Sequence, residues 1–389
     1  MILKIALKNL FSAGIRTWLT VFVLSLTLGS MIFLQALMAG MQDEMMTARI
    51  YEEISGGEIW HKNYDPFDPL TLDESRSIVP NAIQNSIDKG DSCPLLIVNG
   101  AAYYKNRFKS TMLNGIDPNQ KCLRLDFTPL LDEKEGLLSV MIGKRWAKAI
   151  NIVKGDQLTL RWRTEEGAFN ALDAVVVGIL DSQVPNMDVG KIWLSQKTLN
   201  NMNQTKNYAT KIWVRPDAEP PQVEGWVFQS TNTLLSDTIE LVETKSAGQS
   251  FFFMLLLFLG LVAIFDTQAL SIFRRKKEIG TFMAMGMSNN KVLTLFVTEG
   301  VLYGIVATFV TAVWGIPLFY WTTQVGIEFG VSGDQYGIVM GSSLFPVFKV
   351  GKVISAVLIV NFLVLLVSFW PVRKITRLLP ANALRGRLS

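Results

Sequence analysis

Residues 17–41 read TWLTVFVLSLTLGSMIFLQALMAGM, a stretch of 25 residues without one charged side chain. The hydrocarbon core of a bilayer is about 30 Å thick, so an α-helix needs about 20 apolar residues to cross it. This stretch is longer than the apolar core of a secretory signal, and no A-x-A cleavage site follows it. It therefore predicts a retained membrane-spanning helix near the start of the chain.

Three further stretches have the same character, at 249–273, 293–321 and 353–372. The only charged residues within them are Asp266 and Glu299. The 49% hydrophobic content of the chain and its mean hydropathy of +0.29 are thus concentrated in a few segments. The predicted fold class is an α-helical membrane protein with four transmembrane helices plus a large α+β extracytoplasmic domain.

The Lys and Arg residues decide the predicted orientation. Segments 1–16, 274–292 and 373–389, counted with the two acidic residues of the spans, carry a net charge of +10. The remainder carries −6, which leaves the overall +4. Both termini are therefore expected in the cytoplasm, with residues 42–248 and a short loop at 322–352 outside. The net positive charge of the chain therefore reflects membrane topology and gives no support for nucleic-acid binding.

Residues 42–248 are long enough to form a folded domain with its own core. Helical periodicity at Met41–Glu53 and Leu234–Thr244 predicts that the first two spans continue as helices into this domain. A further helix is expected at Leu72–Lys89. The predicted strands are rich in β-branched and aromatic residues: Leu95–Val98, Leu158–Arg163, Ala174–Ile179, Lys191–Leu194 and Lys211–Val214.

Catalytic signatures do not occur in the sequence. There is no G-x-x-x-x-G-K-[ST] loop for phosphate, no G-x-S-x-G and no H-E-x-x-H, and His61 is the only histidine. The chain is therefore expected to be non-catalytic, without a cofactor or metal of its own. Cys93 and Cys122, the two cysteines, fall in the outer domain. They are either a disulfide, which would stabilise the domain by roughly 3–4 kcal/mol, or two free thiols.

The loop at 274–292 reads RRKKEIGTFMAMGMSNNKV. Ile279, Phe282, Met283 and Gly286 follow the spacing of one helix face, which predicts a short amphipathic helix. So short a loop is expected to have no core of its own for this helix to join. The apolar face would then lie on the lipid surface, or it would insert into a groove on a cytoplasmic partner.

The same loop resembles the signature of the FtsX-like permease family of ABC transporters, a basic stretch before E-I-G-x-x-x-A-x-G. Glu299-Gly300 resembles the Glu-Gly at the start of the family's third span. GKRWAKAINIVKGDQLTL, from Gly143, is similar to an element of the MacB-like periplasmic core domain. The C-terminal P-A-x-A-L-R of the family is matched by Pro380, Ala381, Ala383, Leu384 and Arg385.

This resemblance implies a permease half without ATPase activity. It implies a cytoplasmic ABC ATPase dimer that binds ATP and Mg, and a second permease protomer, identical or homologous. It also implies a bacterial inner-membrane location with the large domain in the periplasm, and mechanotransmission between ATPase and outer domain. The implied ATPase coupling helix comprises Glu278, Ile279, Gly280, Phe282, Met283, Ala284 and Gly286.

Four positions in the spans are candidate coupling or packing residues. The Gly300-x-x-x-Gly304 spacing permits close helix approach, either in a dimer or in ordinary packing. Asp266 is a functional candidate because it is an intramembrane acid, or it is satisfied by Arg274 two turns along the helix. Glu299 matches a family position and is expected to link either to the coupling helix or to the partner protomer.

Within the family, ISGGEIWHKNYDPFDPLTLDE, from Ile54, looks most like the lipoprotein-releasing LolC/LolE type. That likeness implies extraction of a lipoprotein or related lipid cargo, and delivery to a periplasmic carrier. The alternatives are a MacB-like exporter of peptides or antibiotics, and an FtsX-like regulator of a cell-wall hydrolase. Candidate acyl-chain contacts, which any lipid-facing junction would also show, are Met38, Met41, Met45, Phe251, Phe252 and Phe253.

Overall fold

The structure is a computed structural model that describes residues 2–12, 14–132, 134, 136–328 and 343–375. The chain divides into two compact units. The helical unit comprises Met1–Gln42, Val242–Glu328 and the chain from Ser343, and the sheet unit includes Asp43–Leu241. The predicted C-terminal motif at 380–385 lies outside the described residues.

The described elements alternate between long apolar helices and a β-rich segment. The helices are α1 (Ile2–Ser12), α2 (Ile15–Arg49), α3 (Asn81–Lys89), α4 (Lys144–Ile150), α5 (Pro185–Asp188), α6 (Gln196–Met202), α7 (Thr231–Leu234), α8 (Ser236–Arg274), α9 (Lys276–Ala284), α10 (Asn289–Val325) and α11 (Val350–Ile375). The strands are β1 (Gly57–His61), β2 (Ser77–Ile78), β3 (Ser92–Tyr104), β4 (Arg107–Ile116), β5 (Leu138–Gly143), β6 (Gln157–Arg163), β7 (Phe169–Leu180), β8 (Lys191–Ser195), β9 (Tyr208–Ala209), β10 (Lys211–Val214), β11 (Trp226–Ser230), β12 (Ile327–Glu328) and β13 (Ser343–Leu344).

Four of the helices, α2, α8, α10 and α11, are long and apolar enough to cross a membrane. The predicted fold class of four such helices plus an α+β domain is therefore confirmed. As predicted, α2 and α8 extend beyond their apolar stretches, and α2 is followed by a π-helical turn at Ile50–Ile54. Residues 1–16, which the family resemblance implies to be an amphipathic N-terminal helix, contain α1, and Gly14, with φ +74°, separates α1 from α2.

Polar side chains connect the helices of the helical unit. The Trp314 Nε1–H of α10 donates to the Ser25 Oγ of α2 at 2.8 Å, and Thr311 Oγ1 lies 3.0 Å from the same oxygen. Thr20 of α2 is similarly paired with Thr267 of α8 at 2.9 Å. Hydroxyl and indole groups inside an apolar bundle need partners, and here they find them on neighbouring helices.

The sheet unit is built on a nine-stranded sheet in the order β11-β1-β10-β3-β4-β8-β5-β7-β6. Because β3 also pairs with β6, the strands from β3 to β6 in this order close into a ring. β10, β1 and β11 extend the sheet from the first residues of β3. The ring encloses a core of fully buried side chains, including Leu96, Leu113, Ile142, Leu160 and Ile192.

All five predicted strands are present, but the predicted helix at Leu72–Lys89 is wrong over its first half. That half contains a 3₁₀ turn at Pro69–Asp73 and the strand β2, and α3 begins only at Asn81. Pro80 at the N-cap position explains the boundary. A proline disfavours helical geometry in the residue before it, so the chain enters α3 from an extended conformation.

Candidate ATPase-coupling region

Arg275 lies in the bend between α8 and α9 and connects three parts of the chain. Its Nε–H donates to Glu278 Oε2 of α9 at 2.9 Å. Its Nη1–H donates to Glu299 Oε2 of α10 at 3.1 Å. The guanidinium also lies 5.2 Å from the ring centroid of Phe296. One side chain therefore joins the bend, the short helix and the long helix α10.

The two ion pairs of Arg275 differ in their surroundings. The Glu299 side chain is only 2% exposed and that of Arg275 is 19% exposed, whereas the Glu278 side chain is 60% exposed. An exposed pair contributes at most about 1 kcal/mol. A buried carboxylate, in contrast, depends strongly on its cation, because its charge is cut off from water. The Arg275–Glu299 pair is therefore the structurally important one.

The apolar face of α9 is turned inward, which contradicts the expectation that this helix has no core to join. Ile279 is 2% exposed and packs with Ile272, Val292 and Phe296, while Met283 is partly buried against the same cluster. The cluster exists because the start of α10 and the end of α8 supply apolar residues of their own. The apolar face of α9, which was predicted to contact lipid or a groove on a partner, is thus covered by residues of the same chain.

The remaining residues of the predicted coupling helix have different positions. Gly280 is buried, whereas Glu278 and Ala284 are exposed. Gly286 follows the helix and has φ +92°, a conformation that favours glycine and turns the chain toward α10. The side chain of Phe282 lies outside the described part of the structure. The exposed surface of α9 and the following turn includes Met285, which is 71% exposed.

The glycines of the third span pack within the chain. A Cβ on Gly300 would overlap the Ser368 side chain of α11, and a Cβ on Gly304 would meet Asn361 of the same helix. The close approach that the spacing predicts is therefore made with α11. Ser368 and Asn361 could not be predicted as partners, because a spacing of small residues indicates only one of the two helices in a contact. Asp266 is exposed on α8.

The candidate acyl-chain contacts do not form one exposed group. Met38 and Met41 of α2 are partly buried, and Phe253 packs against the core of the helical unit. Phe251 and Phe252 are exposed, at 66% and 55%. Met45, which belongs to the sheet unit, is only 8% exposed. Of the six candidates, the two phenylalanines on α8 are the accessible ones.

Cys93 and Cys122 form a disulfide in the structure, with Cα atoms 6.2 Å apart. It joins the start of β3 to the loop after β4, and both cysteines are buried. Within the described residues, no group of three or more His, Cys, Asp or Glu side chains is arranged to hold a metal ion. The disulfide thus belongs to the fold of the sheet unit.

Comparisons with known proteins agree with the helical part of this arrangement. Residues 250–380 match the family model of the FtsX-like permease C-terminal domain. The macrolide export ATP-binding/permease protein MacB of Shewanella sp. (strain W3-18-1) is 23% identical over 220 residues, which are 52% of this chain and 32% of MacB. The uncharacterized ABC transporter permease MJ1507 of Methanocaldococcus jannaschii is 30% identical over 131 residues, 33% of this chain and 30% of that protein.

Two solved structures align with part of the chain. The extracellular domain of the noncanonic ABC-type transporter YknZ from Gram-positive bacteria aligns with 42% of this chain and 83% of its own, at 14% identity and a TM-score of 0.29. The periplasmic region of MacB from Actinobacillus actinomycetemcomitans aligns with 47% of this chain and 91% of its own, at 15% identity and a TM-score of 0.31.

The chain spans about one third of the length of the curated relatives it matches. The matched segment 250–380 begins within α8 and includes α9, α10 and α11. It therefore contains the Arg275 bend, the short helix and the buried Glu299. Residues 250–380 are therefore similar to an FtsX-like permease C-terminal domain, in agreement with the resemblance found in the sequence.

Proposed function

We propose that this chain is the membrane-spanning permease subunit of an ABC transporter, and that a separate cytoplasmic ATPase dimer binds ATP and Mg and hydrolyses the nucleotide. The observation that carries the proposal is the Arg275 bend within an FtsX-like permease domain. A helix that is held to a membrane span by a buried ion pair moves together with that span. Such a helix is a suitable point for an ATPase to act on the membrane unit.

The ATPase binds the outward face of α9 in this proposal. The inward face is occupied by Ile279 and its cluster, so the available groups are the exposed Glu278, Ala284 and Met285. This assignment differs from the sequence hypothesis, in which the apolar face itself enters the partner. An exposed helix face whose opposite face is packed within the chain fits a rigid-body contact, in which the partner pushes the helix without unfolding it.

Force then passes by mechanotransmission from α9 to the long helices. Arg275 connects α9 to α10 through Glu299, and α8 follows directly from the same bend. The chain passes between the helical unit and the sheet unit within α2 and α8. A long helix transmits displacement along its axis, since its backbone hydrogen bonds resist stretching. A second protomer, identical or homologous, completes the permease.

The charge distribution supports a defined orientation for this subunit. The positive-inside rule, applied to the +10 of the inner segments, places both termini and α9 in the cytoplasm. The sheet unit then lies in the periplasm, and the chain is a multi-pass protein of the bacterial inner membrane. The same orientation gives an ATPase access to the exposed side of α9.

The cargo that we propose is a lipoprotein or a related lipid, taken from the outer leaflet and passed to a periplasmic carrier. The apolar window of α8 has only 11% of its residues buried, and it presents Phe251, Phe252 and Phe258 on its surface. Aromatic side chains of this kind suit contact with acyl chains. A MacB-like exporter of peptides or antibiotics is the second candidate, which the similarity to MacB favours.

The experiment is purification of the chain with its ATPase, without nucleotide, followed by mass spectrometry of bound molecules. A lipid-extracting permease is expected to retain an acylated protein or a phospholipid in stoichiometric amount. The Glu299→Gln variant is expected to assemble normally but to show weaker coupling of ATP hydrolysis to cargo release. Wild-type release by that variant would remove the coupling role, and a bound peptide without an acyl group would favour the exporter.

A further inference from the structure

Three strands of the sheet unit carry the same tripeptide pattern, a charged residue followed by Ile and Trp. The sequences are EIW at 58–60 in β1, KIW at 191–193 in β8 and KIW at 211–213 in β10. The three isoleucines are 1%, 0% and 0% exposed and belong to the hydrophobic cores. Since neighbouring residues of a strand point to opposite faces, each charge and its Trp share the other face.

That other face borders a cavity of about 500 Å³ within the sheet unit. The strand register brings Glu58 opposite Trp213, and it brings Lys191 opposite Met112 of β4. Two residues along, on the same face, Asn114 lies opposite Trp193. The volume lies in the range of pockets that hold small organic molecules. The wall is thus a regular array of charged, polar and aromatic side chains.

Most charged groups of this wall already have partners. Glu58 accepts hydrogen bonds from Lys211 Nζ at 2.6 Å, from Trp213 Nε1 at 3.0 Å and from Trp60 Nε1 at 2.5 Å. The Glu53 carboxylate is likewise paired with Arg49, at 2.7 Å. These groups form closed structural pairs and have little capacity left for a ligand.

Lys191 and Asn114 differ from these paired groups. Among the described residues, no carboxylate lies within ion-pair distance of Lys191, although Arg49 and Lys211 each have one. Asn114 is 1% exposed, and neither its Nδ2 nor its Oδ1 has a hydrogen-bond partner in the structure. Buried polar groups are nearly always satisfied, so a cation and an amide that both lack a protein partner in one cavity can together bind a ligand of complementary charge.

We propose that this cavity binds a small organic carboxylate that has a hydrogen-bond donor beside it and an apolar body. The carboxylate pairs with the Lys191 ammonium and the Asn114 Nδ2–H, and the neighbouring N–H or O–H of the ligand donates to Asn114 Oδ1. Trp60 and Tyr64, which line the same cavity and are half-buried, supply aromatic surface for the rest of the molecule. This is the chemistry of an acylated amino acid or of a peptide C-terminus.

The ionisation of Lys191 agrees with such a site. Burial, together with the nearby Lys211 cation, lowers the pKa of Lys191 to about 8, against the opposing effect of Glu53 and Glu58. The side chain keeps some accessible surface because it lines the cavity. An unpaired buried ammonium destabilises a fold, and an anion bound beside it removes that penalty. The remaining ionisable groups of the wall are Arg49, Tyr64, Asp65 and Asp237.

The test is isothermal titration of the full chain in detergent with N-acetyl-leucine, N-acetyl-phenylalanine and the dipeptide Ala-Phe. Each probe is compared with its neutral amide, which has the same shape and lacks the charge. The site variants are Lys191→Met and Asn114→Leu. Lys197→Met is the matched control, because Lys197 is exposed and lies outside the cavity lining.

We expect at least one carboxylate probe to bind at least tenfold more tightly than its amide. Lys191→Met and Asn114→Leu should each weaken binding at least tenfold, and Lys197→Met should leave it unchanged. Tighter binding by the dipeptide than by the acylated amino acids would identify a peptide end as the ligand.

Equal affinity for carboxylates and amides would overturn the proposal. So would the absence of binding at millimolar concentration to protein with wild-type circular dichroism, which would indicate a cavity filled by water alone.

Discussion

The Arg275–Glu299 pair offers a quantitative test, because the two partners differ in burial. Arg275→Ala removes the cation beside a carboxylate whose side chain is 2% exposed. Leaving one member of a buried ion pair without its partner typically costs about 3–5 kcal/mol. We expect this variant to lower the free energy of unfolding of the helical unit by that amount.

The reverse substitution is expected to cost much less. Glu299→Gln leaves Arg275 with its second partner, Glu278, at 2.9 Å, and with 19% of its side chain exposed to solvent. The neutral amide also needs less solvation than a carboxylate. We expect a loss of about 1–2 kcal/mol, close to that of one charge-assisted hydrogen bond. Burial thus predicts an asymmetry that the distance between the two side chains would not reveal.

The double variant Arg275→Ala with Glu299→Gln completes a double-mutant cycle. Because it leaves no unpaired charge in the interior, it should be more stable than Arg275→Ala alone. The measurement is denaturant unfolding of the detergent-solubilised chain, followed by circular dichroism. If the stability losses of the two single variants sum to that of the double variant within about 0.5 kcal/mol, the two side chains do not interact. That result would refute the reasoning.

Three further predictions concern other parts of the chain. Alkylation before reduction, followed by mass spectrometry, should find no free thiol at Cys93 or Cys122, since the two form a disulfide; two labelled thiols in native protein would contradict this. Gly300→Ala should destabilise the helical unit, whereas Gly351→Ala should be neutral, because a Cβ at Gly351 meets nothing within 4 Å; equal melting temperatures would contradict the packing against α11. Lys191 has its pKa lowered to about 8, so its protonated form is disfavoured in the folded state. The free energy of unfolding of the wild type, relative to that of Lys191→Met, should therefore rise by up to about 3 kcal/mol between pH 8 and pH 10.5. If the difference between the two free energies stayed constant over this range, Lys191 would not be buried as described.

The membrane segments and five of the thirteen described strands could be predicted because each depends on a pattern along the chain. A charge-free stretch such as 17–41 indicates a span by its length, and a short run with β-branched and aromatic residues indicates strands such as Lys191–Leu194. The prediction of a helix over Leu72–Lys89 also depended on periodicity. It was wrong in its first half because Pro80 sets the start of the helix at Asn81. Local signals therefore predicted these elements well, except where a proline changed the boundary of a helix.

The environment of α9 was not predictable in the same way. Its amphipathic pattern is correct, yet the pattern does not say whether the apolar face meets lipid, a partner or the chain itself. Ile279 packs on Val292 and Phe296 because Gly286 turns the chain, and only coordinates reveal that turn. The Arg275–Glu278 spacing of three residues was the one local clue to the ion-pair cluster.

The cavity wall had a signal in the sequence that is visible in retrospect. The tripeptides at 58–60, 191–193 and 211–213 repeat a charge and a Trp at strand spacing. Each could be recognised singly as part of a strand. Their meeting on one wall depends on the strand order β1-β10-β3-β4-β8, which is set by long-range pairing. Sequence patterns do not encode such an order directly.

The most direct test of the proposed permease role is site-specific photocrosslinking from position 285 in cells. Met285 is 71% exposed on the turn after α9, and Phe309, 70% exposed in the middle of α10, provides a control position that faces lipid. We predict that a photoreactive residue at 285 captures a protein with a Walker phosphate-binding loop, identified by mass spectrometry, and that position 309 does not. Capture of lipid alone at both positions would contradict the account.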